Sequence, residues 1–317
     1  FYDATAPDVV PRRSHRKEAS MMLASGIFAA GRFRLRWGAM HGRNAEPALV
    51  MGIVNVTPDS FSDGGAHFDT AAAIAHGERL IAEGAHMLDV GGESTRPGAA
   101  EVSLDEERRR VLPVIAALAA RGYCVSVDTR HAALMREAID AGASIVNDVA
   151  ALRGPGAIEV CAASDVGVVL MHMKGEPGTM QRAPTYDDVV QEVGDFLRER
   201  ARACEAAGIA PNRIVIDPGF GFGKTVEHNL ELTRRLDELV STRYPLLAGW
   251  SRKRTLGDLT GRPIPAERVA ASIAAACACV ERGASIVRVH DVAPTVDALK
   301  VWRAMRPDPE YFAVGTP

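Results

Sequence analysis

The chain has 317 residues, 47% hydrophobic and 24% charged, a globular composition that excludes a disordered polymer. A net charge of −3 excludes the basic excess of a nucleic-acid-binding chain, and no run approaches the ~18 uninterrupted apolar residues of a membrane-spanning helix. Five cysteines, an odd number without a C-x-x-C pair, exclude a disulfide framework and point to a reducing, cytoplasmic setting.

The first 45 residues carry eight Lys/Arg against three Asp/Glu. Arg12 and Arg13 ahead of the apolar stretch 21–30 imitate a secretory signal, but that stretch is short, interrupted by glycine and followed closely by Arg32, Arg34 and Arg36. Residues 1–45 are therefore expected to form a poorly ordered N-terminal extension. From residue 48 onward one pattern repeats. Short β-rich apolar runs at 49–54, 87–90, 124–127, 144–146, 167–171, 213–216, 246–250 and 285–289 alternate with Ala-, Glu- and Arg-rich segments such as 71–83, 104–120 and 186–207. Continuous rather than alternating apolar runs suit strands buried on both faces of a parallel sheet. Cys277 and Cys279 fall in the alanine-rich run 269–280, which reads as a buried helix, so their role is structural. Eight such units over 48–304 match the ~250 residues of a (β/α)8 TIM barrel, an α/β fold in one domain, with 305–317 as a tail. A doubly wound open sheet is the alternative, but no Gly-rich dinucleotide turn supports it.

Each run ends in polar residues: Asn55, Asp89, Asp128, Asn147 with Asp148, His172, Asp217, Ser251-Arg252-Lys253, and Arg288 with His290. One acid at a strand end often caps the next helix, but eight consecutive polar ends exceed what capping requires. In a barrel they gather at the C-terminal mouth, where barrel enzymes do their chemistry. Asp89, Asp128, Asn147 and Asp217 beside Arg252, Lys253 and Arg288 suit a ligand with both donor and anionic parts. A carboxylate accepts two parallel N–H bonds from an amidine-like ring edge, and an arginine such as Arg288 can stack on a planar ring while serving an anion. Asn55 offers a hard oxygen suited to Mg²⁺ beside a phosphate. The polar, glycine-containing loops 57–65 and 91–98 are placed to close over a substrate, with Thr95 and Arg96 meeting an anion. The stretch 219–225 resembles a phosphate loop without its G-x-x-x-x-G-K-[ST] spacing, so it reads as a loop packing Phe220 near the site. His172, between Met171 and Met173, reads as a packing residue.

These residues resemble the dihydropteroate synthase family. MGIVNVTPDSFSDGG at 51–65 is similar to its first signature and DVGGESTRPGA at 89–99 to its second; DPGFGFGKTVEHN at 217–229, GWSRKR at 249–254 and RVHD at 288–291 complete the pattern. The resemblance implies a barrel that joins 6-hydroxymethyl-7,8-dihydropterin diphosphate to 4-aminobenzoate, giving 7,8-dihydropteroate and pyrophosphate for folate synthesis. It implies a pterin site at Asp128, Asn147, Asp217 and Lys253, with Arg288 stacking and Asp89 in the same region. Asn55 is expected to hold Mg²⁺ on the diphosphate, with Thr95, Arg96, Arg288 and His290 on its oxygens. Phe61, Pro97, Ser251 and Lys253 are expected to form the aminobenzoate pocket, where sulfonamides compete. Asp128, Arg96, Lys253 and Arg288 are the expected catalytic groups. The resemblance further implies a homodimer acting on small molecules, with no nucleic-acid or membrane partner. Barrel methyltransferases that take methyltetrahydrofolate are the nearest rival, but they lack the 94–97 and 251–253 motifs. A catalytically silent pterin-binding paralogue remains the second alternative.

Overall fold

The computed structural model describes residues 25–38, 48–56, 66–93, 102–175, 180–181, 183–241 and 243–305. Eight parallel strands form the centre: β3 (Leu49–Asn55), β4 (Met87–Gly91), β5 (Val125–Asp128), β6 (Ile145–Asp148), β7 (Gly167–Met171), β8 (Ile214–Asp217), β9 (Leu247–Ala248) and β10 (Ile286–Val289). Their order is β8-β7-β6-β5-β4-β3-β10-β9. A parallel bridge from Ile216 to Leu246 joins β8 to the start of β9, and Ile216 N donates to Pro245 O at 3.0 Å, so the sheet closes into the expected barrel. The eight predicted apolar runs coincide with these strands.

Helices follow each strand and cover the outside: Ala66–Ala82, Leu104–Ala120, Ala132–Asp140, Ala157–Ala162, Val189–Ala206, Val226–Arg234, then Arg254–Thr260 with Val269–Glu281, and Val292–Ala304. Local chemistry starts several of them. Ser103 accepts from Glu106 N, Asp188 accepts from Val190 N and Gln191 N, and Thr225 and His228 cap each other reciprocally.

The period-two alternation of the strands divides the molecule into two apolar regions. Outward side chains such as Val50, Leu88, Val127, Val146, Val168, Ile214, Ala248 and Val287 pack under the helices. Inward ones, Leu49, Met51, Met87, Cys124, Ile145, Val169, Val215, Leu247 and Ile286, fill the barrel floor together with Phe28, Ala30 and Trp37.

Those last three residues correct an expectation. Far from being poorly ordered, Ser25–Ala30 (β1) and Phe33–Gly38 (β2) form an antiparallel hairpin. Phe28 is fully buried, Gly31 N donates to Asp165 O at 3.0 Å, and Arg32 donates to Ala119 O. These partners precede strand starts, so the hairpin plugs the N-terminal end of the barrel. Gly167 permits this, because a Cβ there would lie 2.5 Å from the Phe28 ring. Arg34 and Arg36, whose closeness to the apolar stretch spoke against a signal, are the exposed face of β2, alternating with Phe33, Leu35 and Trp37. Residues 1–24, 39–47 and 306–317 lie outside the described residues.

Candidate active site

One residue-pair further along the same inward positions, the apolar floor gives way to polar groups. Asp89 follows Met87, Asn147 follows Ile145, Asp217 follows Val215, Arg288 follows Ile286, and Ser126 and Asp128 follow Cys124. Sheet register lines them up: Asp89 lies opposite Ser126, and Asp128 opposite Asn147. The result is a connected network. Arg288 Nε donates to Asp89 Oδ2 at 2.6 Å and Arg288 Nη2 to Asp128 Oδ2 at 2.8 Å. Asn147 Nδ2 donates to the same Asp89 Oδ2 at 2.9 Å.

Burial and the neighbouring charge of Asp89 push the Asp128 carboxyl above its usual range, against the pull of Arg288. Arg288 itself is held above its ordinary value, the charges of Asp89 and Asp128 outweighing its burial. Asp89 Oδ1 and Ser126 Oγ are buried without a hydrogen-bond partner, whereas buried polar atoms in folded proteins are nearly always satisfied. Two such atoms on one polar floor suit a flat ring rich in nitrogen and oxygen.

Asp217 forms the far wall. Its Oδ1 accepts from Gly219 N at 2.7 Å, and burial raises its pKa against that bond and the charges of Lys253, Lys224 and Arg288. Gly219 has a φ of +67° and a Cβ there would stand 2.0 Å from His172 O, so no other residue fits that turn. Lys253 Nζ lies 4.0 Å from the Phe222 ring centroid. Phe222 joins Val149, Met171, Met173 and Met180 in a small apolar cluster at strand ends, a wall for a planar ring. Ser251 and His290 are joined twice: Ser251 Oγ lies 2.9 Å from His290 Nδ1, and His290 N donates to Ser251 Oγ at 3.1 Å. Asn55, the last residue of β3, sits opposite Gly91 on the inward phase and is half-buried.

The structure thus gathers Asn55, Asp89, Asp128, Asn147, Asp217, Ser251, Lys253, Arg288 and His290 at one mouth. Phe61, Thr95, Arg96 and Pro97 lie outside the described residues. The flanks of the segment bearing Thr95 and Arg96 are tied together, since Val102 N donates to Glu93 Oε1 at 3.4 Å and Arg130 reaches the same carboxylate.

Three strand-end residues do not converge. Asp148 faces outward and accepts from Ala150 N and Leu152 N, fastening a turn in which Ala151 and Leu152 have left-handed backbones. His172 packs edge-on against Phe196 at 5.0 Å, as its packing reading expects. Arg252, at a φ of 58°, turns back to Asp291 with bonds of 3.0 and 2.6 Å. Each sits one residue beyond an inward position, so the pleat sends it elsewhere. Ser126, Phe222 and Lys224 are additions that strand-end polarity did not select. Ser126 was findable by counting two residues back from Asp128.

The pterin binding enzyme family matches residues 51–290. A dihydropteroate synthase from Neisseria meningitidis serogroup B is 53% identical over 289 residues, covering 89% of this chain and 99% of the relative. The Xanthomonas albilineans dihydropteroate synthase structure with 4-aminobenzoic acid is 55% identical with a TM-score of 0.78, covering 83% of this chain and 95% of that one. The Burkholderia cenocepacia dihydropteroate synthase complexed with 7,8-dihydropteroate is 49% identical with a TM-score of 0.79, covering 89% and 96%.

Proposed function

The chain belongs to the dihydropteroate synthase family of pterin-binding enzymes, and from that premise we propose how its barrel mouth joins a 6-hydroxymethyl-7,8-dihydropterin diphosphate to 4-aminobenzoate. The observation that carries the reading is the buried Asp89–Asn147–Arg288–Asp128 network with its two unpartnered oxygens. Asp128, Asn147 and Asp217 present acceptors to the ring's amidine edge, and Lys253 and Arg288 flank the ring. The bond from the pterin methylene to the diphosphate breaks with its electron pair leaving on pyrophosphate. The electron-rich dihydropterin spreads the positive charge, and Asp128 and Asp217 stabilise it as fixed negative groups in a buried site. A ring N–H donating to Asp128 favours its ionised form. The aminobenzoate nitrogen then attacks the methylene and loses its proton, needing no strong base once the cation has formed.

On the anion side, Ser251 and His290 form one hydrogen-bonded unit beside Arg288, suited to diphosphate oxygens and to the aminobenzoate. Thr95, Arg96, Phe61 and Pro97 are assigned to the same two substrates by their motifs. Asn55 would supply one neutral oxygen of the kind Mg²⁺ takes when phosphate oxygens and water provide its other ligands. The chemistry the ion would supply there is neutralisation of charge on the diphosphate oxygens. A homodimer belongs to the same reading, and sedimentation equilibrium tests it.

The deciding experiment follows pyrophosphate release with pterin diphosphate, 4-aminobenzoate and Mg²⁺, omitting each in turn. Release that needs all three, with dihydropteroate forming in step, is the expected result. Tight pterin binding without turnover would assign the chain to a silent paralogue instead.

A further inference from the structure

Lys224 is 3% exposed, a buried ammonium outside the acid–amide network. Its Nζ has three close neighbours: Gly219 O at 2.9 Å, Phe222 O at 3.0 Å and His172 Nδ1 at 2.9 Å. His172 O lies a little further off, at 3.4 Å. A charged ammonium only donates, so beside it His172 accepts through Nδ1 and carries its proton on Nε2. Burial and the nearby Lys224 charge push the His172 pKa down to about 2, which keeps that ring neutral. Burial also lowers the Lys224 pKa, to about 7, with Asp217 opposing and Lys253 adding to the fall. The three acceptors favour the charged form.

The same turn touches the pterin wall at two points. Gly219 gives its carbonyl to Lys224 and its N–H to Asp217. Phe222 gives its carbonyl to Lys224 while its ring lies under Lys253. Resting on the site reading above, we propose that Lys224 is a positioning residue of the pterin site: it shapes the 219–223 turn and, in the acid range where Asp217 titrates, supplies a positive charge behind that carboxylate. Asp217 is also faced by Lys253, Arg288, the Gly219 N–H and, from helix Val269–Glu281, the Cys279 thiol. Lys224 differs from these cations in being buried, with its bonds going to the turn and to His172, whereas Lys253 and Arg288 are part-exposed.

The test is binding of 6-hydroxymethylpterin to the full chain, followed by pterin fluorescence from pH 5 to 9. Lys224→Gln keeps two donors for the carbonyls and removes the charge, Lys224→Met removes both, and His172→Gln keeps the Lys224 charge while replacing its side-chain acceptor. Removing an opposite charge near a carboxylate raises its pKa by about 1–3 units, so the acid midpoint of binding moves up by roughly one pH unit or more in both Lys224 variants. It stays in place in His172→Gln. In an Asp217→Asn background, adding Lys224→Gln moves no midpoint. An unmoved midpoint in a folded Lys224 variant, or an equal shift in His172→Gln, overturns the proposal. Loss of folding in both Lys224 variants also overturns it, assigning Lys224 to the fold itself. Failure of the unsubstituted chain to bind the pterin refutes the parent reading, whereas binding with an unmoved midpoint refutes only this one.

Discussion

Replacing Arg288 with methionine strips two carboxylates of their shared cation. Arg288 makes bonds of 2.6 and 2.8 Å to Asp89 and Asp128, and the Asp89 side chain is wholly buried. Removing one partner of a buried ion pair costs about 3–5 kcal/mol, because the other charge is left uncompensated. The cost depends on pH in a definite direction. The folded-state pKa of Asp128 is raised above its unfolded value, so the native state holds that proton more tightly than the unfolded chain does. Stability from this group is complete below the unfolded value and is lost as pH rises through the folded one. Without Arg288 the folded pKa climbs further, at about 1.4 kcal/mol per unit, and the loss extends to higher pH. At about 2–4 °C per kcal/mol, Arg288→Met should melt on the order of 10 °C below the unsubstituted chain at pH 8.5, and closer to it at pH 5.5. Calorimetric melts at both pH values measure this. Adding Asp89→Asn should recover part of the loss at pH 8.5. A deficit equal at the two pH values would show that lost packing, not uncompensated charge, sets the cost.

Three other substitutions probe the site and its support. Asp217→Asn should weaken pterin binding about 10- to 150-fold, the range for losing hydrogen bonds to a charged group, in a titration calorimeter. Ser251→Ala removes the hydroxyl shared by His290 Nδ1 and His290 N, and should lower kcat/KM about 2- to 10-fold in the pyrophosphate assay while leaving pterin affinity unchanged. Phe28→Ala empties the hairpin's buried anchor and should cost about 3–5 kcal/mol in urea unfolding, with kcat retained at low temperature.

The barrel was legible because strands buried on both faces are apolar along most of their length, as in the run 167–171, and eight such runs in succession favour a closed parallel sheet over an open one. The site was legible in part. Polar residues at strand ends selected Asp89, Asp128, Asn147, Asp217 and Arg288, yet also Asp148, His172 and Arg252, because strand-end position ignores the phase of the pleat. Asp148 follows Asn147 directly and cannot share its direction. Lys224 escaped notice because nothing local to 219–225 shows that Gly219, Phe222 and His172 surround one ammonium. The hairpin was hidden differently. The order Phe33-Arg34-Leu35-Arg36-Trp37 is an alternating half-buried strand, but its arginines drew attention to charge and away from period.

That hairpin alters where the protein can be cut. The family match begins at residue 51, and the recognisable motifs lie wholly within the strands and loops that follow. A fragment trimmed to those motifs would retain every described candidate site residue and lose Phe28, Ala30 and Trp37 from the underside. Cys124, Ile145, Leu247 and Ile286 would then lose the cover of the three side chains that pack with them. Newly uncovered apolar surface of that kind drives self-association. Such a fragment should therefore precipitate or oligomerise through the end of the barrel remote from its chemistry, while a piece starting at residue 25 keeps that end closed.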